Sequence, residues 1–190
     1  MGAGDGHASL RAARKDPTLL AIAMDPSSDR LRDASRAAAR QSIANGLFVV
    51  AAIEQLPTEL TGRADEVTIN FPWGTLLTGL VKGETSVLAP LARLAKAGAP
   101  VRMLLSVGER DRSTGLPPLD PDTLEARAPA YARAGFDVAE CRAATADEVA
   151  GSNSSWARRL GRRPVCALVL RRRVERCDAT ATDRSVVPLG

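Results

Sequence analysis

Short, nearly unbroken apolar runs constrain this chain more than any other feature. Leu19–Met24, Leu47–Ala52, Val101–Val107 and Val165–Leu170 are the clearest. A strand with one wet face alternates apolar and polar residues. An apolar run of about four to eight residues instead reads as a strand covered on both faces. Glu66–Asn70 and Phe136–Cys141 read as further strands. Helix-like segments lie between them. Asp29–Gln41 stops near Asn45-Gly46, Ser86–Ala97 is closed by Gly98, and a helix starting at Pro121-Asp122-Thr123 ends at Gly135. Gly108–Pro118 reads as a loop. Thr145-Ala146-Asp147-Glu148 has capping-box spacing, and Ser152–Ser155 breaks that segment before a short helix from Trp156. This alternation predicts an α/β fold with a mostly parallel, Rossmann-like sheet and helices on both faces. Ligands of such sheets bind at the carboxyl ends of the strands. Asp25, Ala52-Ile53-Glu54 and Phe71-Pro72-Trp73 fall there.

With 190 residues, 45% of them apolar, the chain is expected to form one domain over residues 1–174, with a polar tail at 175–190. The net charge of +4 is compatible with an anionic partner. The late crowding of Arg158, Arg159, Arg162, Arg163, Arg171, Arg172 and Arg173 says more, although a G+C-rich coding bias would also enrich arginine. Three cysteines without paired metal spacing favour a reduced, cytoplasmic protein. No apolar run approaches the ~18 residues of a membrane span, and no secretion signal is visible.

Gly2-Ala3-Gly4-Asp5-Gly6 has the small-residue spacing of a nucleotide-binding turn, where the backbone approaches a ligand with no Cβ between. Asp25 follows at the distance where an acidic side chain accepts ribose hydroxyls, and Glu54 ends the next strand. Such a turn normally follows a buried strand. Here only Met1 precedes it, so the first central strand is expected to be missing at the N-terminus, with an upstream start the favoured explanation. Strands beginning at Leu19 and Glu66 would then each have an unpaired edge.

Phe71-Pro72-Trp73-Gly74-Thr75 ends a strand and opens a helix. A proline followed by a large aromatic makes a stiff shelf. Trp73 and Trp156 are the two tryptophans of the chain. A pair of aromatic faces can hold a flat base between them. Either ring could instead serve only as a packing anchor.

These pieces, in this order, resemble a class I S-adenosylmethionine (SAM)-dependent methyltransferase. More narrowly, they resemble the 16S rRNA (adenine-1408, N1) methyltransferases of kanamycin and apramycin resistance. The carriers are Gly2–Gly6, Asp25-Pro26, Ala52–Pro57, Phe71–Leu77 and Ser154–Leu160. The resemblance implies that Gly2, Gly4 and Gly6 shape the methionine-side pocket, with Asp5 near the amino group. Asp25 would hold the ribose, and Ala52, Ile53 and Glu54 would border the cofactor's adenine. Thr75 and Ser154 would fix the tryptophans and the cofactor. Trp73 and Trp156 would sandwich the flipped adenine, with backbone carbonyls at Phe71-Pro72 accepting its amine. Arg158, Arg159, Arg162 and Arg163 would grip rRNA, with Arg36 and Arg40 assisting. The expected partner is 16S rRNA in the 30S subunit, met by a monomer and without a membrane. Alternatives are a methyltransferase for another RNA or a small molecule, or a non-catalytic truncated relative.

Overall fold

The computed structural model describes residues 2–113, 115–159 and 163–174. The expected tail and Arg162 lie outside them. The order is α1 (His7–Lys15), β1 (Ala21–Asp25), α2 (Ser28–Arg40), β2 (Gly46–Val50), β3 (Val67–Asn70), α3 (Gly74–Lys82), α4 (Thr85–Leu94) and β4 (Pro100–Leu105). Then follow α5 (Glu109–Ser113), α6 (Pro121–Glu125), α7 (Ala128–Arg133), β5 (Phe136–Ala143), α8 (Ala146–Gly151) and β6 (Cys166–Arg172).

The strands form two pieces. β1 pairs in parallel with β2, and a four-stranded sheet runs in the order β3-β4-β6-β5. β3 is parallel to β4, whereas β6 is antiparallel to both β4 and β5. Within the larger sheet β6 therefore runs alone against the other three, so this sheet is mixed within the expected α/β fold. Among the described residues, β1 and β3 each have a strand partner on one side only. The glycine turn meets β1 instead, where the Ala3 N–H donates to the Met24 carbonyl at 2.9 Å.

One main core joins both pieces, from Met24 and Ile53 through Ile69, Leu77, Leu88 and Met103 to Leu168 and Leu170. Burial of such side chains contributes about 1.5–3 kcal/mol each before chain entropy is counted. α3, which opens at the aromatic shelf, packs tightly on α4. A Cβ placed on Gly79 would lie 2.3 Å from Val87 Cγ2, so only glycine permits this approach. The Tyr131 hydroxyl ties α7 to the same helix by donating to the Leu80 carbonyl at 2.9 Å.

Two segments differ from the sequence expectation. The long helix from Pro121 is divided into α6 and α7. Pro129 explains the division: it has no N–H to donate and its ring crowds the preceding turn. The loop from Gly108 contains the short helix α5, held at its start by the Gly108 N–H donating to Asp111 Oδ2 at 2.8 Å. Among the described residues no helix is long and apolar enough to cross a membrane.

Candidate cofactor and base-binding site

The site grows from the turn between Gly2 and α1. Gly2, Gly4 and Gly6 all have left-handed backbones, with φ of 59°, 56° and 69°. Gly6 is doubly required, because an added Cβ would lie 3.1–3.3 Å from Phe48, Ala34 and Leu31. The Asp5 carboxylate accepts from the His7 N–H at 3.1 Å, two residues on, at the entry to α1. Asp25, 4% exposed at the end of β1, accepts from Gly4 N–H at 2.8 Å and from Ser27 N–H at 3.0 Å. One carboxylate thus ties the turn, β1 and the start of α2 together. Each of its oxygens retains a second acceptor position for a ligand hydroxyl.

Two hollows meet here. The first, about 170 Å³, is lined by Gly2, Asp25, Ala52, Ile53, Glu54 and the Pro72–Leu76 segment, including Thr75. The second, about 90 Å³, is lined by Gly2–Asp5, Asn70, Phe71, Trp73, Ser154, Ser155 and Trp156. Gly2 and Trp73 border both. Of the expected cofactor residues, Gly2, Asp25, Ala52, Ile53, Glu54 and Thr75 line the first hollow, Gly4, Asp5 and Ser154 line the second with the two tryptophans, and Gly6 lines neither. Asp5, Asp25 and Glu54 give this region an acidic lining, which suits a ligand carrying a sulfonium and an ammonium. The positive-φ turn leaves its backbone open to the same space. These residues fit SAM.

The shelf is built from below. Phe71 takes a left-handed backbone, with φ 53°, a costly conformation for a bulky residue and one that clusters at functional sites. Its N–H donates to the Leu104 carbonyl at 2.8 Å, and its ring is buried against Leu104 and Ala167. Phe71 is floor rather than stacking face, so what it offers a ligand is its backbone. Pro72 is buried, whereas Trp73 is 58% exposed and Trp156 is 41% exposed. Large rings left this open at a pocket rim are available to a partner.

Trp156 is carried by the connection between β5 and β6. Glu148 and Thr145 form the capping box at α8, the Thr145 side chain accepting from Glu148 N–H and Glu148 from Thr145 N–H. Arg142 clamps Glu148 with two bonds of 2.7 and 2.6 Å, which hold its carboxyl down at about 2. Beyond α8, Asn153 is left-handed at φ 54°, and the Trp156 N–H donates to Ser154 Oγ at 3.2 Å. This bond holds the main chain of Trp156. Arg11 of α1 donates to the Asn153 carbonyl, and Asn70 Nδ2 to the Ser152 carbonyl at 3.4 Å. These ties hold the connection over the turn. Sequence reasoning missed Arg11, Asn70 and Asn153. Asparagine tolerates the left-handed region, so Asn153 in a Ser-Asn-Ser break was the one readable signal.

The expected RNA-binding arginines divide into two groups. Arg158 and Arg163 line a broad hollow of about 1100 Å³ that shares Asp5, Ser154 and Ser155 with the tryptophan pocket. It is larger than the other two, but no tryptophan lines it, so its size does not make it the chemical centre. Arg36 and Arg40 lie on the exposed face of α2. Arg159 ends a short 3-10 turn after Trp156.

Comparison with known proteins agrees with this architecture. Residues 1–173 match the family described as 16S rRNA (adenine(1408)-N(1))-methyltransferase. A curated protein of that name from Streptoalloteichus tenebrarius is 34% identical over 175 residues, 84% of this chain and 78% of the relative. One from Escherichia coli is 31% identical over 171 residues, with the same coverage of both chains. A crystal structure of the Catenulisporales acidiphilia enzyme of this name, a tryptophan-to-alanine mutant with cosubstrate SAM, superposes with a TM-score of 0.83. It is 34% identical, over 92% of this chain and 84% of that one. The 16S rRNA methyltransferase KamB gives a TM-score of 0.80 at 32% identity, over 92% and 86%. In sequence and in fold, this chain belongs to the 16S rRNA (adenine(1408)-N(1))-methyltransferase family.

Proposed function

We propose that this chain methylates N1 of adenine 1408 in 16S rRNA, with SAM as the methyl donor, and thereby confers aminoglycoside resistance. The observation that carries this is the shared border of the two hollows. Trp73 separates an acidic, glycine-floored pocket from one that contains both exposed tryptophans.

When bound, SAM supplies an electrophilic methyl group on a positively charged sulfur. Asp25 and Glu54 would hold its nucleoside end, and Asp5 would lie near its amino group. Within a helix, adenine N1 is hidden in the pair or the stack, so the base must be turned out before it can react. Trp73 and Trp156 receive it between their faces. Carbonyls at Phe71-Pro72 accept its exocyclic N–H groups and set N1 toward the methyl. N1 would take the methyl with an in-plane lone pair it already owns, while the methyl carbon–sulfur bond breaks, its electron pair returns to sulfur and S-adenosylhomocysteine leaves, so no residue has to remove a proton. The product base is a cation, which aromatic faces favour. Catalysis comes mainly from positioning.

The RNA side follows from the arginines. Arg158 and Arg163 flank the clamp, where the phosphates on either side of a flipped nucleotide would pass. Arg159 and Arg162 continue that run, and Arg36 and Arg40 extend the contact along α2. A single chain supplies both tryptophans, so we propose a monomer of one domain acting on the assembled 30S subunit in the cytoplasm.

Base–aromatic stacking contributes about 1–3 kcal/mol per base. Trp73→Ala or Trp156→Ala is therefore expected to lower methylation of 30S subunits by roughly 5- to 150-fold, and Trp156→Ala, which lies outside the cofactor hollow, to leave SAM affinity measured by calorimetry nearly unchanged. Full methylation by either variant contradicts the clamp.

A further inference from the structure

α2 carries four arginines, and one of them behaves differently from the rest. Arg32, Arg36 and Arg40 are exposed and share one stripe at helical spacing, whereas Arg30 is partly buried. The Arg30 guanidinium carbon lies 4.6 Å from the centroid of the Trp73 ring, within cation–π range. Trp73 is the ring that borders both hollows.

Helix physics does not account for this placement. Arg30 is the third residue of α2, in the first turn, where the macrodipole disfavours a cation. The neighbouring carboxylate, Asp29, pairs with Arg32. Among the described residues Arg30 makes no ion pair and no hydrogen bond; its recorded contact is the ring. A guanidinium whose carbon lies over a ring keeps an N–H edge that the ring does not use. That edge fits the paired oxygens of a phosphate.

Resting on the functional assignment above, we propose that Arg30 binds a phosphate flanking the flipped adenine, with Trp73 as its platform. One ring then does two jobs: it stacks the target base and fixes the cation that anchors the strand on either side of it. This places the first turn of α2 in the RNA interface, directly at the reacting nucleotide.

The test is 30S binding across a salt series, together with SAM binding by calorimetry, for the wild-type chain, Arg30→Ala and Arg30→Lys. Each phosphate contact releases counterions, so its loss flattens the dependence of log K on log salt by about 0.7–0.9. Arg30→Ala is expected to weaken 30S binding roughly tenfold and to flatten that slope by this amount, with SAM affinity within about twofold of wild type. Arg30→Lys keeps the charge without the planar guanidinium, so most of the slope should survive while part of the affinity is lost. An unchanged slope in Arg30→Ala overturns the proposal, because a residue that only braced Trp73 would not alter counterion release. An equal loss of SAM affinity overturns it as well. Failure of the wild-type chain to bind 30S subunits would remove the functional assignment and this inference together; wild-type binding with an unaltered Arg30→Ala slope removes the inference alone.

Discussion

Asp25 shows how one side chain serves both structure and ligand. Its carboxylate is almost wholly buried and receives N–H groups from Gly4 and Ser27. Asp25→Ala leaves both donors without a partner, at a cost of about 1–3 kcal/mol each. SAM affinity by calorimetry is expected to fall at least roughly tenfold, with a lower thermal midpoint. Asp25→Asn, which keeps one acceptor oxygen, should fall in between. Unchanged SAM affinity in Asp25→Ala would contradict its place in the cofactor pocket. Asp25 was readable from its spacing to the glycine turn, and Trp73 from its strand-end proline. Arg30 was not readable, because no pattern in a single sequence says which ring a cation will lie on. Phe71 was only half readable. Its position at the site was legible, but the turning of its ring into the floor depends on a left-handed backbone and on Leu104 and Ala167 arriving from distant strands.

Among the elements, α8 governs where Trp156 stands. Its anchor is the Arg142–Glu148–Thr145 cluster, which holds the Glu148 carboxyl down at about 2, chiefly through the Arg142 hydrogen bonds. An unfolded chain would protonate that group near about 4.3. A depressed carboxylate stabilises the fold above the unfolded value, and the contribution is lost as pH falls through the folded one. Glu148→Gln should therefore lower the thermal midpoint at pH 7, and the gap from wild type should close between about pH 5 and pH 2. The pair is partly exposed, so the effect is modest, about 0.5–2 kcal/mol with the cap included. A gap that persists at pH 2 would contradict the assignment to ionised Glu148. The capping box itself was legible, since its four residues are contiguous. β1, β4 and β6 were legible to within a few residues because their burial leaves nearly unbroken apolar runs; β2 was legible in position, but its run is not covered on both faces, with Leu47 45% and Val50 55% exposed. The reversal of β6 was not, because such a run looks the same in either direction. The division of α6 from α7 was written in Pro129, and it takes precedence over the helical pattern around it.

At the scale of the whole molecule, the fold puts its chemistry where β1, β2 and β3 end. Turn, acidic residues and aromatic shelf arrive from separate strands, and one main core spans both sheet pieces. Among the described residues no strand joins β1 to β3, and the strands form two sheets. The turn and β1 are joined across that region through Ala3 and Gly4. The glycine-floored pocket therefore leans on Asp25 and on the packing of α3 against α4. What the 190 residues must do is deliver a methyl group to one base of one RNA. N1 lies on the pairing edge of adenine, and a methyl group there stops a reverse transcriptase. The most direct measurement is primer extension on 16S rRNA from 30S subunits incubated with the purified chain and SAM. A new stop at adenine 1408 that requires SAM is the predicted result; read-through at that position, or a stop at a different nucleotide, would contradict the account.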